Sequence, residues 1–416
     1  MKIAFLTLGC KLNYAETSTY ERAFKACGME VVPSTHVADV YLVNTCSVTQ
    51  HSESKCRHMI SKCHRQASEA AIVVTGCYAE LRRPEIEALP GVRLVFGAKE
   101  KSLVVPRTME SLTGVPVADF KAVDTLPAYS TGERTRSFLK VQDGCNNYCA
   151  YCTVPFARGN SRNIPICEVV RQAREIAAQG VKEVVLTGVN TGDFGRTTGE
   201  SFLDLLKALN EVEGIERYRI SSIEPNLITE EIVDWIASGT KFQPHFHIPL
   251  QVGCDELLRK VGRRYDTALF ASRIDYIRAK MGPRVFFGID VIVGLPGETD
   301  EMFRRTYDFL RERIRPAFIH IFPYSKRPGT RAAVMPDQVQ DSVKTARVAA
   351  LGELCNELHE AFVASNRGLP ERVLWESTRH RSPDGQITMA GYTGNYIRIE
   401  APFDPGRVGT LEDVVI

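Results

Sequence analysis

Apolar positions recur along this chain with two different periods. Residues 2–7, 40–43, 71–75 and 93–96 are short, nearly continuous apolar runs bounded by turn residues, the pattern of strands buried on both faces. Between them, residues 13–27 and 51–66 carry apolar side chains at helical spacing, and Gly28 stops the first of these helices. Strands alternating with helices predict a parallel α/β unit over residues 1–100. Six further strands are predicted at 138–142, 183–187, 217–221, 245–250, 286–293 and 318–322, most separated by helical patterns such as 168–179, 202–209 and 301–312. Successive right-handed βα units curl a parallel sheet into a barrel or part of one, over residues 134–365. Residues 101–133 lack sustained period and contain Pro106, Gly114, Pro116, Pro127 and Gly132, so they read as a linker with at most one short helix or strand. From 366 to 416 the runs shorten to 372–376, 386–389, 396–399 and 411–416, punctuated by Gly385, Gly391, Gly394 and Gly406, which predicts a small antiparallel barrel of OB type.

Composition narrows the function classes. The chain has 416 residues, enough for two to four domains, and is 44% hydrophobic and 25% charged, an ordinary globular balance. A net charge of +2 lacks the strongly basic balance expected of a chain that binds nucleic acid by bulk charge alone. No apolar run reaches membrane-spanning length, and residues 1–7 run straight into a strand pattern, so the expected location is cytoplasmic, with no membrane partner. In such a chain, 12 cysteines point to metal or catalysis more than to disulfides.

The cysteines fall into sets. Cys145, Cys149 and Cys152 form a C-x3-C-x2-C loop in Asp143-Gly144-Cys145-Asn146-Asn147-Tyr148-Cys149-Ala150-Tyr151-Cys152. Thiolates are the usual ligands of iron–sulfur clusters. Three thiols on a four-iron cluster leave one iron without a protein ligand, and an open position is where a metal site does chemistry. The bland alternative is structural zinc, whose ligands usually come as paired C-x2-C units or Cys/His mixtures. Cys10, Cys46 and Cys77 each follow a predicted strand of the first unit, where open α/β sheets build their sites. Together they can hold a second cluster; the alternative is three small buried hydrophobes. Cys27, Cys56 and Cys63 fall within predicted helices and read as packing residues.

These motifs resemble the radical S-adenosylmethionine (SAM) superfamily. With Leu8-Gly9-Cys10-Lys11-Leu12-Asn13, Asn44-Thr45-Cys46 and Thr75-Gly76-Cys77, the whole chain resembles its methylthiotransferase branch. The resemblance implies an N-terminal three-cysteine domain, a partial (β/α)6 radical SAM barrel and a C-terminal TRAM barrel that grips RNA. It also implies two [4Fe-4S] clusters, one on Cys10, Cys46 and Cys77 and one on Cys145, Cys149 and Cys152, with SAM as cofactor. Gly188, Ser221, Glu224, Gln251 and Gly294 then lie along SAM, the glycines allowing close backbone approach. Val252 and Cys254 stand where the family usually has serine. Arg158, Arg263, Arg264 and Arg327 are the expected substrate cations, while His245 and His247 read as core or rim residues. In the tail, Arg379-His380-Arg381 and Tyr392 are the best RNA candidates, although residues 366–416 hold six Arg against seven Asp and Glu.

The reaction implied is insertion of a methylthio group at C2 of a tRNA adenosine. Gly9-Cys10-Lys11-Leu12-Asn13 resembles the subgroup acting on N6-threonylcarbamoyladenosine, rather than the Gly-Cys-Gln-Met-Asn of isopentenyl-adenosine enzymes or the Gly-Cys-Pro-Lys-Asn of ribosomal-protein enzymes. The expected partners are tRNA, an electron donor such as flavodoxin or ferredoxin, and a sulfur source. From a different class, a zinc-dependent RNA-binding protein without catalysis is the rival.

Overall fold

The computed structural model describes residues 1–116, 123–132, 135–381 and 385–416. Residues 117–122 and 133 of the expected linker, the first residue of the expected barrel unit, and residues 382–384 of the tail lie outside the described residues.

The first sheet has five parallel strands in the order Glu30–Val31, Lys2–Thr7, Val40–Thr45, Ala71–Gly76, Val92–Phe96. The two-residue edge strand at 30–31 is too short to leave a periodic signal. Val40–Thr45 and Ala71–Gly76 are buried at every position, as continuous apolar strands under helices on both faces require. The helices Lys11–Ala26 and Gln50–Gln66 supply those covers. The stretch read as a linker is packed, not open. Its helix Val104–Thr113 buries Val104 and, with the preceding Leu103, lays Val105, Met109 and Leu112 against the sheet cluster around Phe24 and Val73.

The six barrel strands appear as two parallel three-stranded sheets. Arg136–Lys140, Glu183–Thr187 and Arg217–Ile220 form one; His245–Gln251, Phe286–Val293 and Phe318–Pro323 form the other. An isolated parallel bridge, Tyr218 to Phe242, joins them, so sequential strands remain spatial neighbours around the curve. The largest apolar cluster fills the space between strands and outer helices, with Leu186, Ile248, Ile289 and Leu205 at 0% exposure. Each such side chain contributes about 1.5–3 kcal/mol by leaving water.

The tail is a four-stranded antiparallel sheet in the order Arg398–Pro402, Ile387–Thr393, Pro370–Arg381, Leu411–Val415. Val373, Trp375 and Met389 form its small core. It is fastened to the barrel by arginines of the strand Arg217–Ile220. Arg219 donates to the carbonyls of Gly394 and Thr393 at 2.8 Å each, and Arg217 donates to Tyr392 O at 3.2 Å and to Arg372 O.

Candidate functional site

Three adjacent strands of the first sheet deliver Cys10, Cys46 and Cys77 to one edge. Gly76 makes the last of these possible. It has φ of 107°, and a Cβ there would sit 2.4 Å from Thr45 O on the neighbouring strand. Asn13 then stitches the loops together. Its Nδ2 donates to Leu8 O at 2.8 Å and to Thr45 O at 3.1 Å. Burial pushes the Cys46 thiol up to about 12, and the neighbouring Cys77 and Cys10 sulfurs push it the same way. That mutual influence reflects three thiols brought into one neighbourhood. Cys56 is buried behind them and accepts from Cys46 N at 3.5 Å, and Cys63 is buried too; Cys27, read as a packing residue, is exposed because it caps its helix at the surface.

The second set lies on the loop after the first barrel strand. Gly144 has φ of 73°, and a Cβ there would meet Asn160 O at 2.0 Å, so the loop folds flat against the segment that follows it. Gln142 organises the loop. It donates to Gly144 O at 2.8 Å and Ser161 Oγ at 3.0 Å, while its Oε1 accepts from Val189 N and Asn190 N, each at 2.9 Å. One side chain thereby ties the cysteine loop to the loop beginning at Gly188. Burial pushes Cys145 up to about 11 and Cys152 up to about 12, with Cys149 adding to both. All 12 cysteines are free of disulfides. Cysteines release their protons when they ligate a metal, and each set brings three free thiols together, so both sets suit a cluster.

Glu224 and Arg263 brace this loop from the barrel. Asn147 Nδ2 donates to Glu224 Oε1 at 2.8 Å; Arg263 Nη2 donates to the same oxygen at 2.6 Å, and its Nη1 reaches Cys149 Sγ at 3.2 Å. Arg264 donates to Asn146 O at 3.0 Å. The Ser221 hydroxyl and Asn190 Oδ1 are buried without a protein partner, so polar contacts remain free for a molecule beside the loop. Gln251 sits at a bulge with φ of 70° and lines the same region. Gly294 is turned elsewhere: Lys344 Cγ occupies the space beside it, 2.3 Å from where a Cβ would stand. Val252 and Cys254 are core residues at 0% and 2% exposure.

Two of the arginines expected to meet substrate are committed inside the protein. Arg158 is 2% exposed and donates to Asp143 Oδ1 at 2.9 Å, Glu16 Oε1 at 3.3 Å and Asn13 Oδ1 at 2.7 Å. It lies between the two cysteine sets because a buried guanidinium needs carboxylates around it. Arg327 is also 2% exposed, donating through Nη2 to Ser47 Oγ at 2.9 Å and to Glu53, while Nε and Nη1 have no protein partner. Glu16, Lys101 and Lys140, which the sequence reading passed over, complete a buried charge network. Lys101 reaches both Glu16 oxygens at 2.7 Å and Lys140 reaches Glu16 at 2.9 Å and Asp143 at 2.7 Å. Their signal was Lys140, a charge within the apolar run Phe138-Leu139-Lys140-Val141.

The segment just after Cys46 and the end of the second cysteine loop at Cys152 face a shared space. A cavity of about 220 Å³ is lined by Val48 and Thr49 from the Cys46 side, by Tyr151 and Cys152 from the other, and by Gln251, Asp290 and Tyr324 of the barrel. The short helices starting at Cys77 and Val154 pack against one another beneath it. Deeper in the barrel, His247 Nε2 lies 2.6 Å from Asp290 Oδ1 and its ring stacks on His320. Burial holds His320 down to about 4, so that ring is neutral. His245 is stacked on Phe286 and held well below the usual imidazole range by burial. Tyr392 stacks on Tyr396 under Arg136, whereas Arg379, His380 and Arg381 are exposed.

Residues 139–310 match the family model described as the radical SAM superfamily, and residues 2–97 match the one described as uncharacterized protein family UPF0004. The chain is 36% identical to the threonylcarbamoyladenosine tRNA methylthiotransferase of Bacillus subtilis, over 100% of this chain and 93% of the relative. It is 34% identical to the same-named enzyme of Thermotoga maritima, over 98% and 92%. A tRNA-2-methylthio-N(6)-dimethylallyladenosine synthase of Oleidesulfovibrio alaskensis is 31% identical, over 92% and 85%. In fold, the chain resembles the radical S-adenosylmethionine methyltransferase TsrM of Kitasatospora setae, with a TM-score of 0.59 at 15% identity, covering 80% of this chain and 77% of that one.

Proposed function

We infer the reaction from membership: the chain belongs to the radical SAM methylthiotransferases, and it inserts a methylthio group at C2 of N6-threonylcarbamoyladenosine beside the anticodon of tRNA. Full-length identity of 34–37% to several enzymes of that name carries the substrate, against 30–31% for the dimethylallyladenosine synthases. A [4Fe-4S] cluster and SAM belong to the reaction through the superfamily, and together they supply a 5′-deoxyadenosyl radical able to attack an unactivated C–H bond. In the net change the C2–H bond gives way to C2–S–CH3; bound SAM would supply the methyl carbon and the 5′-deoxyadenosyl group that leaves with the hydrogen.

The finer assignments are ours. Cys145, Cys149 and Cys152 hold the cluster that works with SAM, and Cys10, Cys46 and Cys77 hold a second four-iron cluster. The cavity beside Cys152, walled on its other side by Val48 and Thr49 just after Cys46, supports this pairing, since a methylthio unit and a reactive carbon must meet within van der Waals distance. Ser221, Asn190 and Glu224 orient SAM by hydrogen bonds. Gln142 keeps the Gly188 loop in place beside it. The apolar side chains of Val48, Ile292 and Phe322 line this space, and a substrate seated on them completes the exclusion of water. Units 1–100, 134–365 and 366–416 correspond to sulfur carrier, radical core and RNA grip. A reduced flavodoxin or ferredoxin supplies the electron, and a separate sulfur source replenishes the sulfur consumed. Among the described residues no helix is long and apolar enough to cross a membrane.

The test is anaerobic reconstitution with SAM and whole tRNA, followed by nucleoside mass spectrometry. A methylthio derivative of threonylcarbamoyladenosine is the expected product. Modification of prenylated tRNA alone would overturn the substrate while leaving the reaction class intact.

A further inference from the structure

A second cavity, about 550 Å³, lies inside the molecule between the barrel and the tail sheet. The first residues of four barrel strands, Arg136, His245, Phe286 and Phe318, line one side of it. Tyr392, Tyr396 and Arg398 of the tail close another side, and Lys11 enters from the first domain. Four cations face this space, and none of its described lining residues is a carboxylate. Three of the four are already neutralised from behind. Arg136 pairs with Glu376 at 2.6 Å, Arg219 with Glu183 at 2.7 Å, and Arg398 with Glu400.

Lys11 is different. It is exposed, lines the cavity and makes no hydrogen bond or ion pair to any described residue. Beside three cations that already have carboxylate partners, this ammonium is the one free to take up an anion entering the cavity.

We propose that the carboxylate of the threonylcarbamoyl group binds the Lys11 ammonium in this cavity, making Lys11 the residue that selects this substrate. The proposal rests on the reading of the reaction above. Its geometry suits the modified base. Asp290 lines the smaller cavity beside Cys152 and also holds His247, whose ring lines the larger one. The two spaces thus share a wall, so a base presented beside Cys152 can extend its N6 substituent toward Lys11. His247 and His320 offer ring nitrogens to the polar carbamoyl unit, and the aromatic rings of Phe286 and Tyr396 provide walls for its methyl group. Lys11 directly follows Cys10, so the carboxylate anchor is tied by one peptide bond to the second cysteine set.

An anion here has two possible sources, the carboxylate or an RNA phosphate. The experiment separates them with three anticodon stem-loops, carrying threonylcarbamoyladenosine, its methyl ester, or plain adenosine. Each is bound to the reconstituted holoenzyme as wild type, Lys11→Met and Lys11→Arg. Wild type should bind the acid about 10- to 100-fold more tightly than the ester, the range for a hydrogen bond to a charged group. Lys11→Met should bring the acid down to the level of the ester, leave ester and plain adenosine unchanged, and raise KM more than it lowers kcat. Lys11→Arg should restore most of the preference. Equal weakening of all three RNAs by Lys11→Met marks a phosphate contact and overturns the proposal. So does equal affinity of wild type for acid and ester, a result that needs no variant. A wild type that makes no methylthio product from the acid-bearing RNA sinks the parent reading instead, and is recognised before any variant is measured.

Discussion

Glu16 and Lys140 meet at 2.9 Å with both side chains at 0% exposure, one on the first helix of the N-terminal unit and the other on the first strand of the barrel. This contact, with Lys101, Arg158 and Asp143 around it, joins the two cysteine-bearing parts of the chain. These two carboxylates and three cations leave one excess positive charge near the thiol sets, which would offset the negative charge of the proposed thiolate-bound clusters.

Breaking this network should loosen the joint. Burial alone raises the Glu16 carboxyl, but Lys101, Lys140 and Arg158 outweigh it and hold Glu16 at about 2. A depressed carboxyl stabilises the fold fully above its ordinary value near 4.5 and loses that contribution as pH falls toward 2. Glu16→Gln should cost about 3–5 kcal/mol in chemical denaturation at neutral pH. The difference from wild type should shrink between pH 4.5 and 2. A constant difference across that window would count against the ion-pair account.

Replacing Cys145, Cys149 and Cys152 together with Ala should remove the cluster that works with SAM. Iron should fall from about eight to about four per chain, since each cluster needs its thiolates, and 5′-deoxyadenosine formation should cease. Iron that stays near eight rejects the ligand assignment.

The complementary triple, Cys10, Cys46 and Cys77 to Ala, should still cleave SAM to 5′-deoxyadenosine but yield no methylthio nucleoside. Unchanged methylthio yield, read by mass spectrometry of digested tRNA, rules out the second cluster as the sulfur carrier.

Arg263 donates to the Cys149 sulfur at 3.2 Å. A cationic donor at a cluster sulfur favours the reduced, more negative state. Arg263→Gln should therefore shift the reduction potential of that cluster negative, as followed by a redox titration monitored by electron paramagnetic resonance. An unmoved potential would show that Arg263 serves only to hold Glu224.

Arg379, His380 and Arg381 are exposed on the tail sheet. Changing all three to Ala should weaken tRNA binding equally for modified and unmodified RNA. The slope of log affinity against log salt should become shallower by about 2, as two fewer phosphates are neutralised. An unchanged slope places RNA on another face.

Local pattern alone carried much of this molecule. Continuous apolar runs mark strands buried on both faces, and the position of Cys10, Cys46 and Cys77 just past three such strands foretold their convergence, because strand ends of a parallel sheet share one edge. The spacing of Cys145, Cys149 and Cys152 likewise puts three thiols within eight residues, so their proximity is legible without the fold. What a charge faces is another matter, since its partner lies far away in the chain. Arg158 and Arg327 read as substrate cations and are buried against Glu16 and Glu53, residues 142 and 274 positions distant. Lys11 read only as a subgroup marker, and tertiary packing turned it into the one cavity-lining cation without a carboxylate among the described residues. Periodicity records whether a side chain is inside; only the folded arrangement of distant segments decides which charge is left unpaired there.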